Sequence, residues 1–426
     1  MSTSNFPGGA IVRHAAVWIA AIVVIIVMPY VFTSSSSVSM MSQMGVFIVF
    51  ALSYNMLLGE AGMLSFGHAV YFGLGGFLTL HAIRAVNDDV WSFPLELMPL
   101  VGGLGGLAFG VIFGSVSTRR AGVTFAMITL GIGAMVEASA NMFTNFFGGE
   151  SGVSGNRVTE VTLLPFSYGP QIEVYYLIGA WTIVAALLMF LLTKTPLGRM
   201  ANAVRDNPER AQFVGYSTTI ARFIQFALSG FFAGIAGGLF AILFEIMTAP
   251  NVGLIQSGAV LLMTFIGGLG VFFGPIIGAV LVTYMQIALS GFSEGWILYF
   301  GLLFVLMVMY VPNGIAGVIV SHFAPWQAGL AHRFAVPYLL AIVPALLALA
   351  GLVTMIEMGY HLSLAYDPSR PIELFGIEIT ATSVAAWVVA VALFAAGLVA
   401  LRWVAGRIRQ RWGEVNQAMD AQRAKQ

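Results

Sequence analysis

The side chains able to do chemistry are few in this sequence, and they interrupt apolar runs. In NMLLGEAGMLSFGHAVYFGLGG, Asn55 to Gly76, the residues Glu60, Ser65, Gly67 and His68 stand within otherwise apolar sequence. A carboxylate, a hydroxyl and an imidazole so placed suit polar contacts to a passing solute, or the handling of a proton or ion. Broken helices present such ends to substrate when protein or a water-filled cavity covers them. An ordinary interfacial loop explains the stretch equally well, with Ser65 capping the next helix. His68 alone suits a satisfied structural histidine better than a ligand. Glu137 falls within the run 122–144, with Asn141 and Asn145 one and two turns on along the same helix face. An intramembrane carboxylate is costly and so points to function, unless it lies near the outer interface. Glu245 and Glu294 stand at span ends, where solvent accounts for them.

Nothing in the chain supports covalent catalysis. A phosphate-binding loop needs glycine before its lysine. The two lysines, Lys194 and Lys425, follow Thr193 and Ala424. Cysteine is absent and the six histidines are scattered, which excludes thiol chemistry, disulfides and thiolate metal sites. No HExxH or GxSxG occurs. The expectation is no catalytic residue, no metal and no bound cofactor. If ATP drives this protein, another chain binds it.

A third stretch, KTPLGRMANAVRDNPERAQFVGYSTTIARF, Lys194 to Phe223, is polar and basic between two apolar runs. Thr195–Pro196 and Asn207–Pro208 share one form, a capping residue followed by proline at the first helical position. Gly215 is a stop signal. Two short helices follow from this. The first places Leu197, Met200, Ala201 and Val204 on one side and turns Arg199 and Arg205 away. Asp206 and Glu209 among the basic residues suit a protein partner better than a lipid surface.

These groups must be positioned by membrane helices. Of 426 residues, 59% are hydrophobic and only 8% charged, against about a quarter in soluble domains. The chain lacks the polar residues to cover a globule. Apolar runs of bilayer-spanning length recur over 14–32, 40–58, 65–83, 98–117, 122–144, 174–193, 219–243, 296–311, 335–356 and 382–401. The first exceeds a signal-peptide core and is read as a span. The region 257–290 carries Gly267, Gly268, Gly270, Gly274 and Pro275 between two apolar halves, so it is paired or re-entrant. The fold class is an all-α polytopic membrane protein, a glycine-rich bundle of about 10–12 spans.

Lysine and arginine favour cytoplasmic loops. Arg119–Arg120, the 194–222 segment and the tail (Arg402, Arg407, Arg409, Arg411, Arg423, Lys425) then lie inside. Asp88, Asp89, Glu96, Glu150, Glu160, Glu173, Asp367, Glu373 and Glu378 lie outside. Both termini fall in the cytoplasm. The tail's charge suits either solvent or anionic lipid. Three glycine stripes (Gly102, Gly106, Gly110, Gly114; Gly230, Gly234, Gly238; Gly270, Gly274, Gly278) predict close helix packing. Residues 312–334, with Pro312, Asn313, Gly314 and Pro325, read as an internal linker. The chain divides into a bundle over 1–330 and a helical hairpin with a basic tail over 331–426.

Three stretches together resemble the permease subunits of branched-chain amino acid ABC importers. They are GEAGMLSFGHAVYFGLGGF (59–77), TPLGRMANAVRDNPERAQFVGYS (195–217), and GGLGVFFGPIIGA (267–279) followed by VPNGIAG (311–317). Order and spacing match over roughly 40–317. The resemblance implies an all-helical permease of the type shared with vitamin B12 importers, in the inner or plasma membrane. Its implied partners are a second, similar permease chain, ABC ATPase subunits that bind ATP, an external solute-binding protein and membrane lipid, with no nucleic acid. It implies that 195–217 couples to the ATPase through Leu197, Gly198, Arg199, Arg205, Asp206, Asn207, Glu209, Ala211 and Gly215. Glu209-x-Ala211-x-x-x-Gly215 resembles the E-A-A-x-x-x-G loop of importer permeases, with Arg210 in the second position and the usual leucine-proline ending absent. Glu60, Ser65, Gly67, His68 and Glu137 are the pathway candidates. The expected solutes are leucine, isoleucine and valine. Relatives also move urea, short amides and aromatic acids. A different class, an ion-coupled secondary transporter, would use Glu137 or Glu60 as its ion site.

Overall fold

The structure, a computed structural model, describes residues 7–293, 295–364, 367 and 369–423; Glu294 and Lys425 lie outside the described residues. The helices in chain order are α1 (Pro7–Val31), α2 (Ser35–Asn55), α3 (Ala69–Asn87), α4 (Met98–Ser117), α5 (Val123–Met142), α6 (Thr144–Phe147), α7 (Gln171–Lys194) and α8 (Pro196–Asp206). They continue with α9 (Pro208–Phe213), α10 (Thr218–Phe244), α11 (Leu254–Gly267), α12 (Gly274–Ser290), α13 (Trp296–Tyr310), α14 (Gly314–Gln327), α15 (Ala335–Leu364) and α16 (Val384–Arg423). Among the described residues, eight of these are long and apolar enough to cross a bilayer: α2, α3, α4, α5, α7, α10, α15 and α16. The apolar part of α1, and α11 and α12, are shorter, while α13 and α14 pass as a bent pair. The protein is therefore an all-α polytopic membrane protein. Among the described residues, strand is confined to β1 (Val153–Ser154) paired with β2 (Ile246–Met247), and a hairpin of β3 (Pro371–Leu374) and β4 (Ile377–Thr380), both antiparallel.

One sequence expectation is narrowed and another changes. The region 257–290 is resolved as a pair of helices, α11 and α12. The supposed linker 312–334 is largely α14. Asn313–Gly314 does punctuate the chain, with Gly314 at φ +64. Pro325, however, comes only in the last turn of α14, after its helical ladder is established.

The chain forms two compact units, Met1–Ile287 with Leu306–Gly317, and Ala288–Val305 with Val318–Gln426. In the first, α3, α4 and α10 pack backbone against backbone. A Cβ on Gly75 would come within 2.6 Å of the Gly234 Cα, and one on Gly102 within 2.5 Å of the Gly234 carbonyl oxygen. One on Gly230 would meet the Gly106 carbonyl oxygen at 2.8 Å. Lipid tails supply no hydrophobic drive between helices, so close backbone contact is what holds this trio. The third stripe is not continuous. Gly270 has φ +93 and nothing within 4 Å of a Cβ built on it, because it lies in the turn between α11 and α12. The second unit is built around the α15–α16 hairpin, where a Cβ on Gly351 or Gly397 would meet the facing backbone at 2.5 Å. Phe334 and Val415 pack at one end of it and Met358, Ala381 and Ala390 at the other.

Candidate functional site

The last turn of α2 widens into a π-helix over Met56–Glu60, and the chain then runs without helix to α3. Such a widening frees backbone groups that need partners. Two side chains one turn apart on α10 provide them: Gln225 Nε2 donates to the Met56 carbonyl at 3.0 Å and Ser229 Oγ to the Ser53 carbonyl at 2.8 Å. Apart from exposed Gly62, the non-helical stretch 61–68 is buried or half-buried against protein, as membrane depth requires. Tyr54 Oη donates to the Ser65 carbonyl at 2.9 Å, and the Phe66 N–H donates to Thr129 Oγ1 of α5 at 3.2 Å. Gly67 sits so close to the Thr129 backbone that any Cβ would collide with it.

Ser65 and His68 are fully buried. Ser65 Oγ accepts from the Gly67 N–H at 3.4 Å, whereas α3 is capped from far away in sequence, by Ser257 Oγ accepting the Ala69 N–H at 3.0 Å. The helix cap expected of Ser65 thus belongs to Ser257 on α11. His68 Nε2 lies 3.0 Å from Ser53 Oγ; the ring stacks on Phe50 and meets Tyr54 and Tyr71 edge-on, while its Nδ1 has no partner among the described residues. Glu137 is half-buried on α5, and its Oε2 accepts the Leu254 N–H at 3.3 Å. It therefore caps the N-terminus of α11, where a carboxylate is favoured by the helix dipole. Asn141 and Asn145 are exposed. The side of α5 that this chain leaves uncovered carries Thr124, Met127, Gly131, Met135 and Ala138.

On the polar segment, Thr195 Oγ1 accepts the Gly198 N–H at 3.4 Å and Asn207 Oδ1 accepts the Arg210 N–H at 2.9 Å, so both caps form as the sequence requires. Gly198, Ala201 and Val204 are buried, with Met200 against the Val204–Ala211–Ala221 cluster, while Leu197 is half-buried. A Cβ on Gly198 would meet the Thr193 Cα at 2.7 Å, so glycine lets α8 lie against the end of α7. Gly215 holds φ +93 beyond α9. Arg199, Asp206, Asn207 and Glu209 are exposed.

Arg205 does not simply turn away. Its Nη1 donates to the Gly59 carbonyl, its Nη2 lies 3.0 Å from Asp206 Oδ1, and its stem fills the space that a side chain at Gly62 would need. Gly62 has φ +67, a further reason for glycine there. Three residues earlier on α8, Asn202 Nδ2 donates to Glu60 Oε2 at 2.6 Å. Two side chains of α8 thus hold the broken end of α2, and that end holds the buried stretch running to His68. Sequence reasoning missed Asn202, Gln225, Ser229 and Ser257. The Gln225/Ser229 spacing of four within an apolar run was the available signal for that pair.

On the opposite face a long loop is fastened at two points. Glu96, expected in an external loop, is buried, and its carboxylate accepts the Leu163 and Leu164 N–H groups and the Tyr168 hydroxyl at 3.0 Å or less. Arg157 is also buried; it donates to the carbonyls of Tyr168 at 2.8 Å, Leu243 at 3.0 Å and Gly169 at 3.1 Å, and so caps the C-terminus of α10. Its neighbour Glu245 accepts the Arg157 N–H at 2.8 Å. Burial first, and then the Glu96 carboxylate beside it, hold the Tyr168 phenol well above its usual range.

A family profile described as "Branched-chain amino acid transport system / permease component" matches residues 36–312. The high-affinity branched-chain amino acid transport system permease protein LivM of Salmonella typhimurium is 27% identical over 330 residues, 72% of this chain and 76% of that protein. The LivM protein of Escherichia coli K12 is 26% identical over the same shares. A shorter match, 36% identical over 121 residues, covers 26% of this chain and 33% of the autoinducer 2 import system permease protein LsrC of Salmonella typhi. No solved structure matches.

Proposed function

Because the chain belongs to the family of permease components of branched-chain amino acid transport systems, we propose that it is the membrane subunit of an ATP-driven importer for leucine, isoleucine and valine. It works beside a second permease chain, ABC ATPase subunits and an external solute-binding protein. Segment 195–217 faces the cytoplasm with Arg119–Arg120 and the tail. The chain itself supplies no chemistry; it converts a push on α8 into a rearrangement of the pathway.

The observation that carries this reading is the double attachment of α8 to the broken end of α2, through Asn202–Glu60 and Arg205–Gly59. Beyond it, Phe213 and Val214 are 91% and 70% exposed, next to a cavity of about 320 Å³ lined by Asp206, Asn207, Arg210 and Tyr216. Uncovered aromatic surface rimmed by both signs of charge suits a protein partner. ATPase closure moves α8 and α9, and the strut draws residues 59–62 with them. The buried stretch 63–68 passes the displacement to α5 through Gly67. Glu60, Ser65, Gly67, His68 and Glu137 then frame the pathway, setting the backbone around it. The uncovered face of α5, with Thr124, Met127, Gly131 and Met135, is the surface offered to solute.

The test is purification of the tagged chain in mild detergent, followed by reconstitution. An ATPase and a second permease should accompany it and be lost on Phe213→Asp with Arg210→Glu. The complex should take up labelled leucine with ATP, in competition with isoleucine and valine. Uptake by the chain alone, driven by an ion gradient and abolished by Glu137→Gln, would sink the proposal. ATP-driven uptake of other solutes alone would sink only the solute assignment.

A further inference from the structure

The second unit carries a basic cavity outside the matched family region. Its volume is about 510 Å³, and its lining includes His332, Arg333, Leu340, Arg407, Arg411 and Glu414. Arg411 is matched by Glu414 at 2.7 Å. Among the described residues, neither Arg333 nor Arg407 has a carboxylate partner. His332 and Arg333 lie in a short 3₁₀ turn that leads directly into α15. Cations at a helix start face the positive end of its dipole, which is unfavourable unless an anion sits among them.

The depth of the cavity identifies the source of that anion. At 40 residues, α16 is about 60 Å long, roughly twice the hydrocarbon thickness of a bilayer. Its apolar sequence runs to Leu401, Trp403 follows Arg402, and Arg407 lies one turn beyond Trp403, with its guanidinium carbon 3.7 Å from the Trp403 ring centroid. An exposed tryptophan marks the membrane interface, so Arg407 stands at headgroup level. Exposed Val336 and Leu340 form the wall on the membrane side. A free phosphate has no use for that wall, whereas an acyl chain does.

We propose that this cavity binds the phosphate of an anionic glycerophospholipid, with Arg333 and Arg407 contacting the headgroup and Leu340 and Trp403 its acyl chain. The experiment is native mass spectrometry of the full chain with phosphatidylglycerol, phosphatidylcholine and inorganic phosphate. The comparison pair is Arg333→Gln/Arg407→Gln and Arg402→Gln/Arg409→Gln, which removes equal charge outside the cavity. Phosphatidylglycerol retention should fall roughly 30-fold in the first variant, the ratio for ~1 kcal/mol at each of two arginines, and less than twofold in the second. Equal losses in both variants, or none in either, would overturn the assignment to this cavity. Displacement of the lipid by inorganic phosphate at matched concentration would overturn the lipid source. Gel filtration of each variant separates these outcomes from misfolding.

Discussion

Replacing both Asn202 and Arg205 by alanine should uncouple ATP hydrolysis from transport while the subunits stay assembled. The Arg205–Gly59 bond has a charged donor, a type whose loss costs about 1.5–3 kcal/mol. The Arg205 side chain is 36% exposed and is shared with Asp206, so the lower figure of about 1.5 applies. The Asn202–Glu60 bond, at 2.6 Å to a carboxylate, contributes a similar ~1.5 kcal/mol. Together they bound the coupling at about 3 kcal/mol, or roughly 150-fold. The assay is solute moved per ATP hydrolysed in proteoliposomes. The ratio should drop by between about 10- and 150-fold in the double variant, with hydrolysis and assembly kept. Each single alanine variant should fall part of the way. Glu60→Gln retains an acceptor for Asn202 and should stay within about tenfold of wild type, whereas an ion site at Glu60 requires complete loss. A double variant whose transport-to-hydrolysis ratio stays within twofold of wild type refutes the strut.

Gly234→Leu should destabilise the bundle by about 3 kcal/mol or more, since the backbone of α4 at Gly102 and Gly106 stands where the side chain would go; thermal unfolding in detergent reads it. Gly258→Ala, with nothing within 4 Å of the new methyl, should stabilise by about 0.5–1 kcal/mol in the same assay. Ser257→Ala leaves the buried Ala69 N–H without its partner and should cost about 1–3 kcal/mol, while Ser65→Ala should cost less. Tyr168 supplies a pH dependence. Its folded-state pKa is raised above the unfolded value by burial and then by Glu96, so its contribution is fully present below about pH 10 and declines as pH rises further. Protease cleavage within 149–170 should stay constant up to about pH 9 and rise above about pH 10. Tyr168→Phe should remove that step, and a step that persists in the variant assigns it elsewhere.

Much of this architecture was legible in the sequence because its causes are local. Apolar run length sets the spans, and proline after a capping residue starts α8 and α9. Glycine at intervals of four marks the packing faces of α4 and α10. The break after α2 was legible too, since glycine, glutamate, serine and histidine interrupt an apolar run. Other features were not. The cap on α3 comes from Ser257, 188 residues away, and no local pattern reports such a partner. Glu96 reads as an external loop charge and Arg157 sits in a loop with no local signal, yet both are buried because loop amides and helix-end carbonyls converge on them.

The sequence by itself determined that this is a helical membrane protein, and where its polar segment and its helix break lie. Composition, run length and motif order suffice for that, since each depends only on the chain's own residues in lipid or water. The tertiary structure alone decided that segment and break are one device. Gly59 and Glu60 meet Arg205 and Asn202 across more than 140 residues. That contact exists only because glycine lets α3, α4 and α10 close together, while Gln225 and Ser229 of α10 hold the widened end of α2 in place.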